Sequence, residues 1–214
     1  MNPFKKIFTP DELAFFTSLD TPARIQAYLD GMPYSEEEIY RCPRQVINDR
    51  KAHCFDGALF AAAALRFIGF PPLVLDMLPA PGRDDDHMLA LYKIDGHWGA
   101  IAKSNFVGLR YREPLYRTLR ELVLTYFEDF YNTVREKTLR EYTVPLNLQA
   151  YDQFNWMASD ASMMVIAHRL EKLRRYTLLT PGMVAGLAPV DERFYQAGLL
   201  GVNWEGLYKL PESS

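Results

Sequence analysis

The spacing of apolar and polar positions predicts helices in the first third of the chain. Residues 9–12 are typical of a capping box with proline at the first helical position, and residues 35–38 have a similar Ser-Glu pattern. Between them, Thr-Pro at 21–22 predicts a short helix that Gly31 can end. A longer helix is predicted from about 54 to 67, where a run of alanines lets a neighbouring element approach closely.

The middle of the chain has the alternation expected of strands. The apolar run at 73–75 predicts a buried strand, and a polar loop rich in turn-forming residues follows it. Two β-like runs, 87–94 and 97–104, then flank Asp95-Gly96, the dipeptide preferred in two-residue hairpin loops. This part of the sequence therefore predicts an antiparallel hairpin.

The second half returns to helical spacing. An apolar stripe predicts a helix over 115–130, and Asp160 can cap a further one. Helices, then strands, then helices indicate an α+β fold and not a parallel sheet with alternating helices. We expect one domain over 1–214, with a helical part at 1–40, a core at 41–110 and a mainly helical part at 111–214.

Composition narrows the class of protein. The chain has 49% hydrophobic and 24% charged residues, a net charge of −3 and a pI near 5.8, which gives no basic field for nucleic acid or an anionic membrane. Neither a secretory signal nor an apolar run of bilayer length is present, so we expect a cytoplasmic protein. Its oligomeric state is left open. In a reducing compartment the two cysteines, Cys42 and Cys54, are not expected to form a disulfide.

Cys54 is the first candidate for chemistry. At the first turn of a helix, unpaired N–H groups and the positive end of the helix dipole favour a thiolate, which is the nucleophilic form. The alternatives are an inert buried thiol, the usual state of a free cysteine, or a metal ligand. Zinc could be bound by Cys42, His53, Cys54 and His87, but the chain lacks the short ligand spacings that zinc sites use.

A cysteine nucleophile needs a base, and His87 is the best-placed histidine. His53 adjoins Cys54, but adjacent side chains on a helix point about 100° apart. His87 instead opens a predicted strand, from which an imidazole can face a helix N-terminus. The preceding acidic triplet, 84–86, is expected to be a solvated turn that raises the pKa of His87 and thereby favours a thiolate–imidazolium pair.

The imidazole then needs an acceptor that orients it. With a two-residue loop at 95–96, His87 lies opposite Ser104; one extra residue moves the partner to Asn105. An amide oxygen can accept from a ring N–H and fix the tautomer, so Asn105 is the first choice and Ser104 the second. Asn105 can equally be a turn residue that closes the strand.

These residues carry a resemblance to a known superfamily. The blocks "AHCFDGAL", "DDDH", "HWGAIAKSNF" and "LRYREP", with "KTLREY" further on, are similar to a set of mostly microbial transglutaminase-like proteins whose core is shared with papain and the arylamine N-acetyltransferases. The resemblance implies a papain-like core with a helical C-terminal half. It also implies Cys54 as nucleophile, His87 as general base and Asn105 as orienting residue.

The resemblance implies an acyl-transfer enzyme of the amide hydrolase, peptidase or transglutaminase type, with a thioester intermediate. Such an enzyme needs no cofactor or metal and acts on a peptide or a small amide or acyl substrate. The chain departs from the superfamily where an aspartate usually serves as third member, because the nearest match is Ala102. The Cys54 N–H is one expected oxyanion donor, with Gln45 as a second candidate. The alternative is a catalytically silent binding module with the same fold.

Overall fold

The computed structural model describes Phe4 and residues 7–211. Within them the α-helices are α1 (Pro10–Ser18), α2 (Pro22–Asp30), α3 (Pro43–Asp49), α4 (Cys54–Phe67), α5 (Leu119–Leu124), α6 (Met163–Glu171), α7 (Pro181–Ala185) and α8 (Glu192–Gly198). The strands are β1 (Leu73–Pro79), β2 (His87–Ile94), β3 (His97–Ile101), β4 (Arg112–Tyr116), β5 (Leu139–Thr143), β6 (Leu146–Asn147) and β7 (Arg175–Thr177). Short 3-10 turns span Leu148–Phe154, Asp160–Ser162 and Trp204–Gly206.

The strands described form one antiparallel sheet in the order β4-β3-β2-β1-β5-β7, with β6 also paired to β1. The predicted hairpin is β2–β3, and its two-residue loop is confirmed because Ile94 pairs with His97. Asp95 and Gly96 have φ values of 48° and 81°, the left-handed backbone that a type I′ turn requires.

Helix α4 is the buried centre of the molecule. Its alanines 61–64 are fully buried, and their small side chains let the helix lie close against β2. Residues on this face of β2, such as Met88 and Ala90, join the core around α4, whereas Leu89 and Leu91 face a second core on the other side of the sheet. The α+β class, with a cysteine-bearing helix packed on an antiparallel sheet, is confirmed. The C-terminal half, predicted to be mainly helical, also adds β4, β5, β6 and β7 to the sheet.

The segment 35–38 does not begin a helix. The Ser35 N–H donates to the Ala52 carbonyl at 3.1 Å, and the Tyr34 backbone bridges to Ala52, which keeps this chain extended. The Ser35 hydroxyl accepts from Arg41, and the Glu37 carboxylate pairs with Arg41 and Lys51. The polar groups of the predicted capping box are therefore used by tertiary contacts.

The helix predicted over 115–130 is shorter than expected. Residues 115 and 116 lie in β4, and the helix begins only at Leu119, where Thr118 and Glu121 form a capping box. Arg112 of β4 donates to the Thr125 hydroxyl at 2.9 Å and to the Thr125 carbonyl at 3.1 Å, so a side chain from the strand is hydrogen-bonded to the C-terminal end of the helix. Residues 115 and 116 therefore pair in a strand, although the apolar spacing of this segment is typical of a helix.

Strand β3 ends at Ile101 and not at 104. Its ladder with β2 stops at the pair Ala90–Ile101, and Lys103 then turns inward. The Lys103 ammonium group donates to the carbonyls of Leu29, at 2.9 Å, and Met32, at 2.5 Å. A Cβ on Gly57 of α4 would lie 2.3 Å from the Lys103 Cβ, so the missing side chain of Gly57 permits this approach.

No helix within the part of the chain that the structure describes is long and apolar enough to cross a bilayer.

Candidate active site

Cys54 is the first residue of α4, and its neighbours hold the start of that helix. The Nδ1 atom of His53, the N-cap, accepts from the Phe55 N–H at 3.2 Å, so Nε2 carries the proton and donates to the Ile39 carbonyl at 2.9 Å. Asp56 completes a capping box by accepting from the His53 N–H at 3.4 Å. Both ring nitrogens of His53 are therefore occupied in structural hydrogen bonds.

A buried ion pair between Asp56 and Arg41 stabilises the start of this helix. Asp56 is 0% exposed and accepts from the Arg41 N–H at 2.8 Å, and the Arg41 guanidinium, 1% exposed, lies 3.4 Å from the same carboxylate. Arg41 also bonds with Asp49 at 2.8 Å and with Glu37. Because a buried carboxylate needs such partners, Arg41 fixes the loop before α4 to the turn that bears Cys54.

The Cys54 thiol lies at the edge of β2, next to the residues that flank His87. Its Sγ atom is 3.8 Å from the Asp86 carbonyl oxygen and is also approached by the Met88 N–H. The thiol lines a cavity of about 570 Å³ whose walls come from 34–38, from 85–86 and from the C-terminal segment 205–209. A thiol in a cavity, at a helix start, is placed to meet a ligand.

His87 is the first residue of β2, and its ring is held by a backbone carbonyl. The Nε2 atom lies 2.8 Å from the Leu109 oxygen. A carbonyl can only accept, so Nε2 is the protonated nitrogen and Nδ1 carries the lone pair of the neutral ring. The ring also meets Phe130 edge-on, at a centroid distance of 6.5 Å. The tautomer therefore leaves Nδ1 as the basic nitrogen.

The structure brings Cys54 to the backbone around His87 but places the two side chains in neighbouring cavities. His87 lines a second cavity of about 50 Å³, on the side of the sheet that carries Phe130, whereas α4 packs on the other side. The two cavities share Tyr34 and residues 85–86 and 206–208 as lining. These shared residues form a common wall of the two cavities.

Tyr34 is the wall residue that touches Cys54. Its hydroxyl lies close to the Cys54 backbone N–H and to the thiol. Burial, and then the proximity of Cys54, raise the pKa of the Tyr34 phenol well above its usual value. The hydroxyl thus lies next to the backbone donor that the sequence suggested for an oxyanion.

Asn105 bonds to the C-terminal segment and not to His87. Its Nδ2 donates to the Asn203 carbonyl at 2.7 Å, and its Oδ1 accepts from the Asn203 N–H at 2.8 Å. Ser104 accepts from the Phe106 N–H at 2.9 Å. Because β3 ends early, neither residue is a ladder partner of His87, and the Leu109 carbonyl takes the position expected for the orienting acceptor.

The predicted ion pair of thiolate and imidazolium is not the resting state of this site. Burial lowers the pKa of His87 to about 4, which is opposite to the rise expected from the acidic triplet. Burial, and then the negative charge of Asp86, raise the pKa of Cys54, so desolvation outweighs the helix dipole. Burial likewise raises the pKa of Asp84 and Asp86 to about 6. Both reactive groups are neutral near pH 7.

The other candidate residues lie elsewhere. Cys42 is buried, 2% exposed, and the amide of Gln45 bonds along α3 with Asp49 at 2.7 Å, away from the cavity. Within the described residues, no three His, Cys, Asp or Glu side chains are grouped as the ligands of a metal ion would be. The four residues weighed for zinc therefore do not converge on one point.

Comparisons with known proteins give likenesses to solved structures. Legionella pneumophila LapG, in two solved structures of which one is EGTA-treated, shares 11% and 10% sequence identity with this chain; each match covers 74% of this chain and 92% of LapG, at a TM-score of 0.41. A TM-score at this level does not establish a shared fold, so the likeness assigns neither an activity nor residue roles. No family model matches the sequence, and no curated protein does.

Sequence reasoning missed two parts of the site, Tyr34 and the Leu109 carbonyl. A backbone carbonyl carries no side-chain signal, and it reaches His87 only because 102–109 leaves the ladder. Tyr34 precedes a segment with a helix-start pattern, which concealed the extended backbone that aims its phenol at Cys54.

Proposed function

We propose that the protein is a cysteine-dependent acyl-transfer enzyme of the amide or peptide hydrolase type, with Cys54 as nucleophile and His87 as general base. The observation that carries the proposal is the Cys54 thiol, which opens into a cavity from the first turn of α4 while its sulfur lies 3.8 Å from the carbonyl of Asp86, the residue before His87. The transglutaminase-like sequence blocks support the same assignment.

The chemistry follows from the tautomer of His87. Once the residues between the two cavities move aside, Nδ1 takes the proton of the Cys54 thiol as the sulfur forms a bond to the carbonyl carbon of an amide or ester. The tetrahedral intermediate collapses to a thioester, and the leaving amine or alcohol departs with the proton held by His87. Water then attacks the thioester, His87 accepts a proton from it, and the acid and the thiol are released.

The remaining residues orient and stabilise. The Leu109 carbonyl holds Nε2–H, which is the role that the sequence suggested for Asn105. The Cys54 N–H is the proposed oxyanion donor, and the Tyr34 hydroxyl lies close to it. Asn105 remains in the proposal as the third polar residue of the site, and its amide is hydrogen-bonded to Asn203 of the C-terminal segment.

A burst experiment tests the proposal. p-Nitrophenyl acetate, a small activated acyl donor, should release p-nitrophenolate in a burst and leave an acetyl group on the peptide that contains Cys54, removable by hydroxylamine. Cys54→Ser should abolish the burst, His87→Gln should slow it strongly, and Cys42→Ser should leave it unchanged. Acylation at equal rates in wild type and His87→Gln would contradict the role of His87.

A binding module is the second candidate, and the charge states favour it. Burial keeps the thiol and the imidazole neutral, and they line separate cavities. A module of this kind would bind a peptide or a small acyl ligand in the Cys54 cavity without turnover. In the same experiment it would give no burst and no acetyl group on Cys54.

A further inference from the structure

The C-terminal segment lies over the candidate active site and is attached to it at few points. We define residues 203–209 as the strap. Residues 205–209 line the cavity of Cys54, and 206–208 also line the cavity of His87. The strap is thus the one element of the C-terminal half that borders both reactive groups among the described residues.

One residue, Asn203, makes the hydrogen bonds that join the strap to the body. Its backbone N–H and carbonyl bond with the two ends of the Asn105 amide, as described above. Its side-chain Nδ2 donates to the Tyr34 carbonyl and to the Glu36 carboxylate, both at 3.1 Å. Within 204–211, the remaining hydrogen bonds described are internal to the segment.

At Gly206 the backbone of the strap packs against the Tyr34 ring. A Cβ on Gly206 would lie 3.0 Å from Cδ1 and 3.3 Å from Cε1 of the Tyr34 ring, and 3.4 Å from the Asn105 amide nitrogen. The strap backbone therefore packs against the Tyr34 ring, whose hydroxyl lies close to Cys54. The strap and Tyr34 together border the cavity that contains the thiol.

The rest of the strap is weakly held. Trp204 is 65% exposed, and the preceding Leu200 is 79% exposed. Gly201 has a φ of +73°, a left-handed conformation that places a flexible glycine between α8 and the strap. A segment with one hydrogen-bonded anchor, exposed apolar residues and a glycine at its base can open at low free-energy cost.

We infer that the strap is an autoinhibitory cover: anchored by Asn203 and seated through Gly206 on Tyr34, it limits access to Cys54 until a peptide or partner displaces it. The inference rests on the proposed function for its biological meaning, but access to Cys54 can be measured without turnover. Opening removes the strap from both cavities, frees the Asn105 amide and releases the Tyr34 ring from its contact with Gly206.

The test measures the rate at which iodoacetamide alkylates Cys54 in the full-length chain at one pH. Asn203→Ala removes three side-chain hydrogen bonds, two of them to the body, and Gly206→Val introduces a side chain against the Tyr34 ring; each should raise the rate by about tenfold. Trp204→Ala, in the same strap but with an exposed side chain, is the matched control and should keep the wild-type rate. Hydrogen exchange at 203–209 should rise in the first two variants only.

The outcomes separate the two proposals. Faster alkylation in both strap variants with an unchanged melting temperature supports the cover, even if no burst is seen with p-nitrophenyl acetate. Wild-type alkylation rates in Asn203→Ala and Gly206→Val overturn it, even if the wild-type chain gives a burst. If one variant fails to fold, the other decides by the same measurement.

Discussion

Two consecutive helices of this protein start at a cysteine. Cys42 lies just before α3, and Cys54, twelve positions further along the chain, is the first residue of α4. The surroundings of the two cysteines are opposite. Cys42 precedes α3, is 2% exposed and has a pKa raised to about 12, first by burial and then by Asp160. Cys54 opens α4 and lines a cavity of about 570 Å³. A helix start alone therefore does not make a cysteine available for chemistry; access decides between them.

The two helix starts also differ in what caps them. The cap of α4 is local, because His53 and Asp56 are neighbours in sequence. The cap of α3 is distant: the Cys42 N–H donates at 2.7 Å to the carboxylate of Asp160, 118 positions away. The start that bears the candidate nucleophile can thus form from its own sequence, whereas the other depends on the C-terminal half.

The largest expected effect comes from breaking the buried pair under α4. Arg41→Met leaves the Asp56 carboxylate without its guanidinium partner and should lower the free energy of unfolding by roughly 3–5 kcal/mol. Arg24→Met is the control, since its pair with Asp20 is exposed and should contribute below about 0.5 kcal/mol. Urea unfolding measures both, and equal losses would contradict the importance assigned to burial.

The second prediction compares the cysteines directly. Iodoacetamide should alkylate Cys54 on the order of a hundredfold faster than Cys42, because Cys42 is reached only through local unfolding. Because burial raises the pKa of Cys54, its rate should still be increasing at pH 9. Mass spectrometry of the two peptides gives both rates, and equal rates would mean that the cavity gives Cys54 no access.

The third prediction concerns the protonation of His87, whose cavity adjoins that of Cys54. Its pKa is lowered from 6.5 to about 4 in the folded chain, so its contribution to stability is complete above pH 6.5 and is lost as pH falls toward 4. The loss should reach about 2–3 kcal/mol near pH 4.5.

Two nearby carboxyls act in the opposite direction. Asp84 and Asp86, with pKa values raised to about 6, destabilise the folded chain at neutral pH, and this effect is relieved as pH falls. The measurement is therefore the difference between wild type and His87→Gln in urea unfolding at pH 7 and pH 4.5. A difference that does not change with pH would contradict the lowered pKa of His87.

The smallest effect separates the two caps. Asp160→Ala should lower stability by about 1 kcal/mol, the usual contribution of a cap, and leave the alkylation of Cys54 unchanged. His53→Ala removes the local cap of α4 at a similar cost, but it should also alter the rate at Cys54. Thermal melting together with the alkylation assay distinguishes the two, and a changed Cys54 rate in Asp160→Ala would show that the two helix starts are coupled.

Local chemistry in the sequence was enough to predict much of the framework. The Asp95-Gly96 loop fixed the hairpin register, and the start of α4 at Cys54 follows from its own neighbours. The apolar run of β1 and the alanines of α4 likewise predicted a buried strand and a closely packed helix. Such features depend on turn and packing preferences within a few residues, which a single sequence displays.

Other features depended on groups that are far apart in the chain. The sequence determined that a cysteine would open a helix beside a strand that begins with histidine. Only the tertiary structure decided that Leu109 orients that histidine, that Asn105 holds Asn203, and that desolvation outweighs the helix dipole at Cys54. The physical reason is that burial and long-range hydrogen bonds depend on how distant segments pack, whereas caps and turns are set by neighbours.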